Sequence, residues 1–283
     1  VTGLFFEAQQ EWNDAYISYQ DAEKGYRAYA KTFGLSPPLM LAQDLAALAT
    51  RFGYDDHLQE YRSRYDLLGR IDDAGGGEVI VFAETGFIAR KHEREISLPI
   101  LQDDNTHRVW ALSDQMAYRY RHQRHYVGVD YWLRIALPEY RPVSSQVSSA
   151  RLTAVGQTAH AVLLQDLDVI AMKNLQEKEG SILARTAARA LAKSIATEVA
   201  EEKSEILGFF VNLFGAATER ADTRGWLALP RQIRVARLRV PAGTVDLVLE
   251  FVNGKGRVVD GFRFTGIEVA EGQRIFLNYR SYK

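Results

Sequence analysis

Asp72-Asp73-Ala74-Gly75-Gly76-Gly77 runs directly into Glu78-Val79-Ile80-Val81-Phe82-Ala83, and the period of the chain changes at this junction. Three glycines beside two acids cannot hold a helix, so the first six residues read as a linker. The next six, rich in β-branched and aromatic side chains, read as a buried strand. Upstream of the junction apolar residues recur at helical spacing; downstream they alternate or form short runs. The expected fold class is therefore α+β, with a helical part over 1–73 and a strand-rich part over 78–283.

Toward the start of the chain, Gly3, Phe6, Ala15, Tyr19 and Ala22 fall at the relative spacings of the small and aromatic positions of a tetratricopeptide (TPR) repeat. The small residues let paired helices approach, and the aromatics fill the groove between them. Trp12 should open the second helix of the pair, and in this register the first helix begins upstream of Val1. Thr2 and Arg27 stand where leucine and proline are usual, and a plain amphipathic helix hairpin is the other reading. A second pair follows Gly34-Leu35-Ser36-Pro37-Pro38: Leu41, Leu45, Leu48 and Phe52 mark one helix, and Gly53 ends it. Asp55 or Asp56 is placed to cap the next, with Leu58, Tyr61 and Tyr65 as its buried stripe.

Downstream, strands are expected over 78–155, helices over 166–217 and strands again over 231–280, a β-sandwich-like domain with a long helical insertion. Glu95-Ile96-Ser97-Leu98-Pro99-Ile100 contains a proline, which suits a sheet edge. Gly180 should break or start a helix. The apolar parity changes between Ile233/Val235 and Leu238/Val240, which predicts a β-bulge near Ala236-Arg237. Val245, Leu247, Leu249 and Phe251 alternate, and Asn253-Gly254-Lys255-Gly256 signals a hairpin.

The 283 residues are 47% apolar and 25% charged, the composition of a globular protein and not of a disordered one. A net charge of −1 argues against a general nucleic-acid binder. Cysteine is absent, which removes disulfides, thiolate metal sites and cysteine nucleophiles. His122-x-x-His125 lies in an expected strand, where a three-residue step turns the rings to opposite faces, so no metal site is expected. Neither a nucleophile elbow, a phosphate-binding glycine loop nor a dinucleotide fingerprint is present; no catalytic residue and no cofactor is expected.

Two stretches invite binding readings. Ile206 to Ala217 is apolar around most of a helix and too short to span a bilayer, leaving the core, a membrane interface or another subunit as its home. Phe209, Phe210, Leu213 and Phe214 are the expected partner-binding residues there. In Tyr118 to Tyr126, aromatics interleave with arginine, and on a strand Tyr118, Tyr120, Arg124 and Tyr126 share one face. That face suits a cell-wall glycan, an alternative to protein binding; the other reading is packing alone.

Gly3 to Ala22, the helix Ile182-Leu183-Ala184-Arg185 with Arg189-Ala190, and the stretch from Ala217 through Trp226 to Pro230 together resemble a family of bacterial cell-envelope proteins. Its members have a TPR-like N-terminal part, are often predicted to be lipoproteins, and are commonly encoded near LpoB-like activators of penicillin-binding proteins. The resemblance covers most of the chain, with the Trp226 stretch its distinctive part, and supplies no catalytic residues. It implies a non-enzymatic accessory or assembly protein with protein partners, homo-oligomeric ones included. It also implies a periplasmic, outer-membrane-attached location, with any lipid anchor upstream of Val1.

Overall fold

The computed structural model describes residues 1–67, 75–103, 108–111, 131–200 and 221–283. Among these the chain is a mixture of helices and sheets, as the change of period implies. The chain divides into two compact units. One comprises 1–88, 142–170 and 227–283; the other comprises 89–141 and 171–226. Helices and the first strand share a unit, so the compact units part at Ile88/Ala89 and not at the glycine run.

The first unit opens with helices α1 (Thr2–Ala8), α2 (Trp12–Phe33), α3 (Leu39–Phe52) and α4 (Asp55–Tyr65). Gly34 and Gly53 end α2 and α3 at φ +66° and +70°, values that favour glycine. Tyr54, not an aspartate, occupies the cap of α4; Asp55 and Asp56 lie in its first turn, where they favour the helix dipole. Gly3 is required by close approach, since a Cβ there would lie 2.5 Å from the ring of Tyr19.

A four-stranded sheet follows in the order β11 (Arg274–Ser281), β1 (Gly77–Thr85), β8 (Gln232–Val240), β7 (Val162–Asp166). Strand β1 runs parallel to β11 and antiparallel to β8. A second sheet has the order β10 (Val258–Val269), β9 (Gly243–Val252), β5 (Ser149–Ala154), β6 (Gln157–His160). Val79 and Val81 of β1 and Leu238 of β8 share a core with Leu247, Leu249 and Phe251 of β9 and Leu152 of β5. On the opposite face of the first sheet, Ile80, Val235 and Phe276 pack with Leu4, Tyr19, Leu45 and Leu48 of the helices. Alternation along each strand sends successive residues to these two cores.

The bulge expected at Ala236-Arg237 is absent: β8 pairs with β1 without interruption from Gln232 to Val240. Val235 and Ala236 are both fully buried, one in each core, and Arg237 takes the helix-facing place that an apolar residue would otherwise hold. The register shift lies on β7, between Leu163 and Gln165. Of the expected linker, residues 72–74 lie outside the described residues. Gly76 and Gly77 are packed: a Cβ would come within 2.3 Å of the Val240 carbonyl oxygen and of Val269 Cγ1 respectively. The hairpin at Asn253 forms, with Asn253 Oδ1 accepting the amides of Lys255 and Arg257, each at 3.0 Å. An unanticipated hairpin joins β5 to β6 through Val155 and Gly156, at φ +49° and +75°.

The second unit contains the sheet β3 (Arg108–Ala111), β2 (Arg90–Asp103), β4 (Tyr131–Arg141). Strand β2 is central, contrary to the edge reading of Pro99. Strand β3 reaches only Ile100 to Asp103, so Pro99 has a strand neighbour on one side alone, pairing with Trp132 of β4. Helix α5 (Leu167–Ala200) begins in the first unit, where Asp166 Oδ1 accepts the Val169 amide at 3.0 Å. It passes through Gly180 without a break, because the helical period continues on both sides and one glycine costs only about 1 kcal/mol.

Candidate functional site

Five charged side chains from five elements form one continuous chain between the helices and the first sheet. Arg237 Nη1 donates to both oxygens of Asp44 on α3, at 2.8 and 2.7 Å. Its Nε and Nη2 donate to Glu78 of β1 at 3.0 and 3.2 Å. Arg274 of β11 reaches Glu78 through Nε at 2.9 Å and Glu7 of α1 through Nη1 at 2.6 Å. Tyr19 of α2 completes the series by donating to Glu7 at 2.6 Å. The side chains of Glu7, Asp44, Glu78, Arg237 and Arg274 are at most 16% exposed.

The backbone register places these groups in one row. Glu78 of β1 sits opposite both Arg239 of β8 and Arg274 of β11, with Arg237 two residues along β8. Within the row two guanidiniums hold three carboxylates, and exposed Arg239 adds its positive charge beside Glu78. Burial pushes the Asp44 carboxyl up to about 6, against the pull of Arg237 and with help from Glu7 and Glu78. Burial works the same way on Glu78, but Arg237, Arg274 and Arg239 outweigh it and hold that carboxyl below its ordinary range. Burial alone would lower Arg237; the facing Asp44 and Glu78 raise it instead. A carboxyl titrating near 6 has the range of a general acid or base. Both Asp44 oxygens, however, are engaged by Arg237, so its evident work is to attach α3 to the sheet.

A second buried acid ties α2 to α4. Glu23, with its side chain 6% exposed, accepts from Arg64 Nη1 at 2.9 Å and from the Tyr65 hydroxyl. Burial and the bond to Glu23 push Tyr65 up to about 12. Nearby, Tyr16 shares a hydrogen bond with His57 Nδ1 at 2.7 Å.

Beside the charged row lies an open cavity of about 1200 Å³. Its buried part includes Glu7, Asp44, Glu78, Arg237 and Arg274. Half-buried Met40, Ala47, Leu58 and Leu67 supply apolar lining. Half-buried Trp12 and exposed Arg51 and Arg62 line it too, with the Arg51 guanidinium 4.0 Å above the indole of Trp12. Glu271 lines it as well and accepts the Gly76 amide at 2.6 Å.

Phe209, Phe210, Leu213 and Phe214 lie outside the described residues, as do Tyr118, Tyr120, Arg124 and Tyr126 and the His122/His125 pair. Sequence reasoning missed the charged row. Of Asp44, Glu78, Arg237 and Arg274, only Asp44 interrupts an apolar helix face, among Leu41, Leu45 and Leu48; Glu78 and Arg274 stand at the starts of their strands, and Arg237 is followed on its face by Arg239. A lone charge on one apolar face reads as noise, and charges at strand starts read as solvated ends. Comparison with known proteins returns no match to a family model, to a curated protein or to a solved structure.

Proposed function

We propose that this protein is a non-enzymatic accessory protein of a bacterial cell-envelope assembly, which holds a protein partner against its helical layer. On this reading α1 to α4 are TPR-like hairpins seated on a β-sandwich, and the periplasm is the compartment. The carrying observation is the open cavity of about 1200 Å³, with apolar lining from α3 and α4 beside a charged row whose members hold one another. Helical hairpins that leave an apolar-lined hollow suit an inserted segment of another protein. The test is a photo-crosslinking side chain installed at Leu58 in the intact protein, with a control at exposed Asn13. An adduct with an envelope protein at Leu58 but not Asn13 is the expected result. Equal labelling at both sites, or none, removes the binding role from the cavity.

A further inference from the structure

We infer that the cavity recognises an acidic segment of a protein partner, in which carboxylates alternate with apolar side chains; this deepens the binding role proposed above and rests on it. The charge distribution carries the inference. The buried charges are committed to one another, two guanidiniums to three carboxylates, so no anion is drawn into the deep part. The outer part is different. Arg51 and Arg62 are exposed, line the cavity, and have no carboxylate partner among the described residues. Arg51 is held instead on the face of Trp12. Glu271, the exposed acid of the lining, accepts the Gly76 amide through Oε1, and exposed Arg239 lines the same cavity. Met40, Ala47, Leu58 and Leu67, half-buried and apolar, line the same cavity.

A segment entering this space finds exposed guanidinium donors and half-buried apolar contacts on one lining. Carboxylates of the segment pair with Arg51 and Arg62, and its apolar side chains cover the methionine, alanine and leucines. A basic segment is repelled at entry. The positions of Arg51 and Arg62 in the last turns of α3 and α4 also favour the helix dipoles. That role affects stability and is indifferent to the charge of an added peptide, so the two are separable.

Fluorescence anisotropy on the intact protein, with labelled acetylated peptides of repeating Asp-Leu, Lys-Leu and Ser-Leu, tests this directly. The Asp-Leu peptide should bind at least about tenfold tighter than the other two, and raising the salt should weaken it. Replacing both arginines, R51E with R62E, should abolish that preference while circular dichroism shows a folded protein. Should the reversed charges unfold it, the pair R51Q and R62Q should still reduce Asp-Leu affinity by about tenfold or more. Equal binding of all three peptides overturns the inference, as does tighter binding of Lys-Leu, which would assign entry to the buried carboxylates. Concentration-dependent self-association that excludes the Asp-Leu peptide also overturns it, in favour of a second copy of this chain. A specific adduct at Leu58 without Asp-Leu binding leaves the binding role standing and removes only its acidic chemistry.

Discussion

The two faces of the first sheet are made by the same strands and are held in different ways. Toward the second sheet, β1, β8 and β11 present Val79, Val81, Ala236, Leu238, Ile275 and Leu277, all apolar. Toward the helices the same strands present Ile80, Val235 and Phe276, and beyond these the charged row Glu78, Arg237 and Arg274. An aliphatic face specifies volume and excludes water, and many apolar side chains satisfy it. A buried row of ions accepts only partners that complete its hydrogen bonds, because each uncompensated charge is costly. The helix-facing contact is therefore selective for position, and the sheet-facing contact supplies bulk stability.

The sharpest way to break this comparison is Arg237→Ala, which leaves Asp44 and Glu78 without their common donor. A loss of about 3–5 kcal/mol is expected in urea unfolding near neutral pH, shrinking on acidification as Asp44 takes up a proton. A loss below about 1 kcal/mol would show that the row is not a point of attachment. On the other face, Leu247→Ala should cost about 3 kcal/mol through a cavity in the aliphatic core, with no dependence on pH. If the two variants respond identically to pH, the distinction between the faces fails.

A smaller effect sharpens the electrostatic half. The folded-state pKa of Asp44, about 6, lies above its ordinary value of 3.8. The native protein then binds this proton more tightly than the unfolded chain, so its contribution to stability is greatest at low pH and declines as pH rises through 6. Glu78 works oppositely, and its window lies below its ordinary value of 4.5. Between pH 4.5 and 6 the Asp44 effect stands apart, amounting to about 2 kcal/mol. Asp44→Asn should flatten that part of the pH–stability curve; an unchanged slope would assign it to other groups. The smallest effect lies in the second sheet. Val155, β-branched and exposed, sits at φ +49° in a two-residue turn before Gly156. Val155→Asn should raise stability by about 1 kcal/mol by placing Asn-Gly in the turn. A lower melting temperature would mean that the valine side chain contributes more than the strain costs.

Local chemistry made much of the fold readable. The helical stripe of Leu41, Leu45 and Leu48, the stop at Gly53 and the alternation from Val245 to Phe251 each depend on a few neighbours, and each element formed. The turn at Asn253 was legible because the Asn253 side chain satisfies amides two and four residues on. Val155 was not legible, since a β-branched residue at positive φ runs against its own preference and persists only under tertiary constraint. The candidate site was less visible still. Its five charges are spread from Glu7 to Arg274, and no short window contains two of the elements that build it.

What the sequence by itself determined is the class of each segment: where the period is helical, where it is two, and where glycine ends an element. Only the tertiary structure decided what the exceptions mean. Arg237 looked like the mark of a bulge because β8 changes its apolar parity around it. In the folded chain β8 stays regular, both of its faces are buried, and the parity changes because Asp44 and Glu78 wait on the helix side to receive a guanidinium. The same holds for Gly76 and Gly77, whose glycines serve close approach to Val240 and Val269. Periodicity reports which side of an element is apolar. It cannot report what stands opposite a charge, because a buried ion is tolerated only through partners that folding brings from distant parts of the chain.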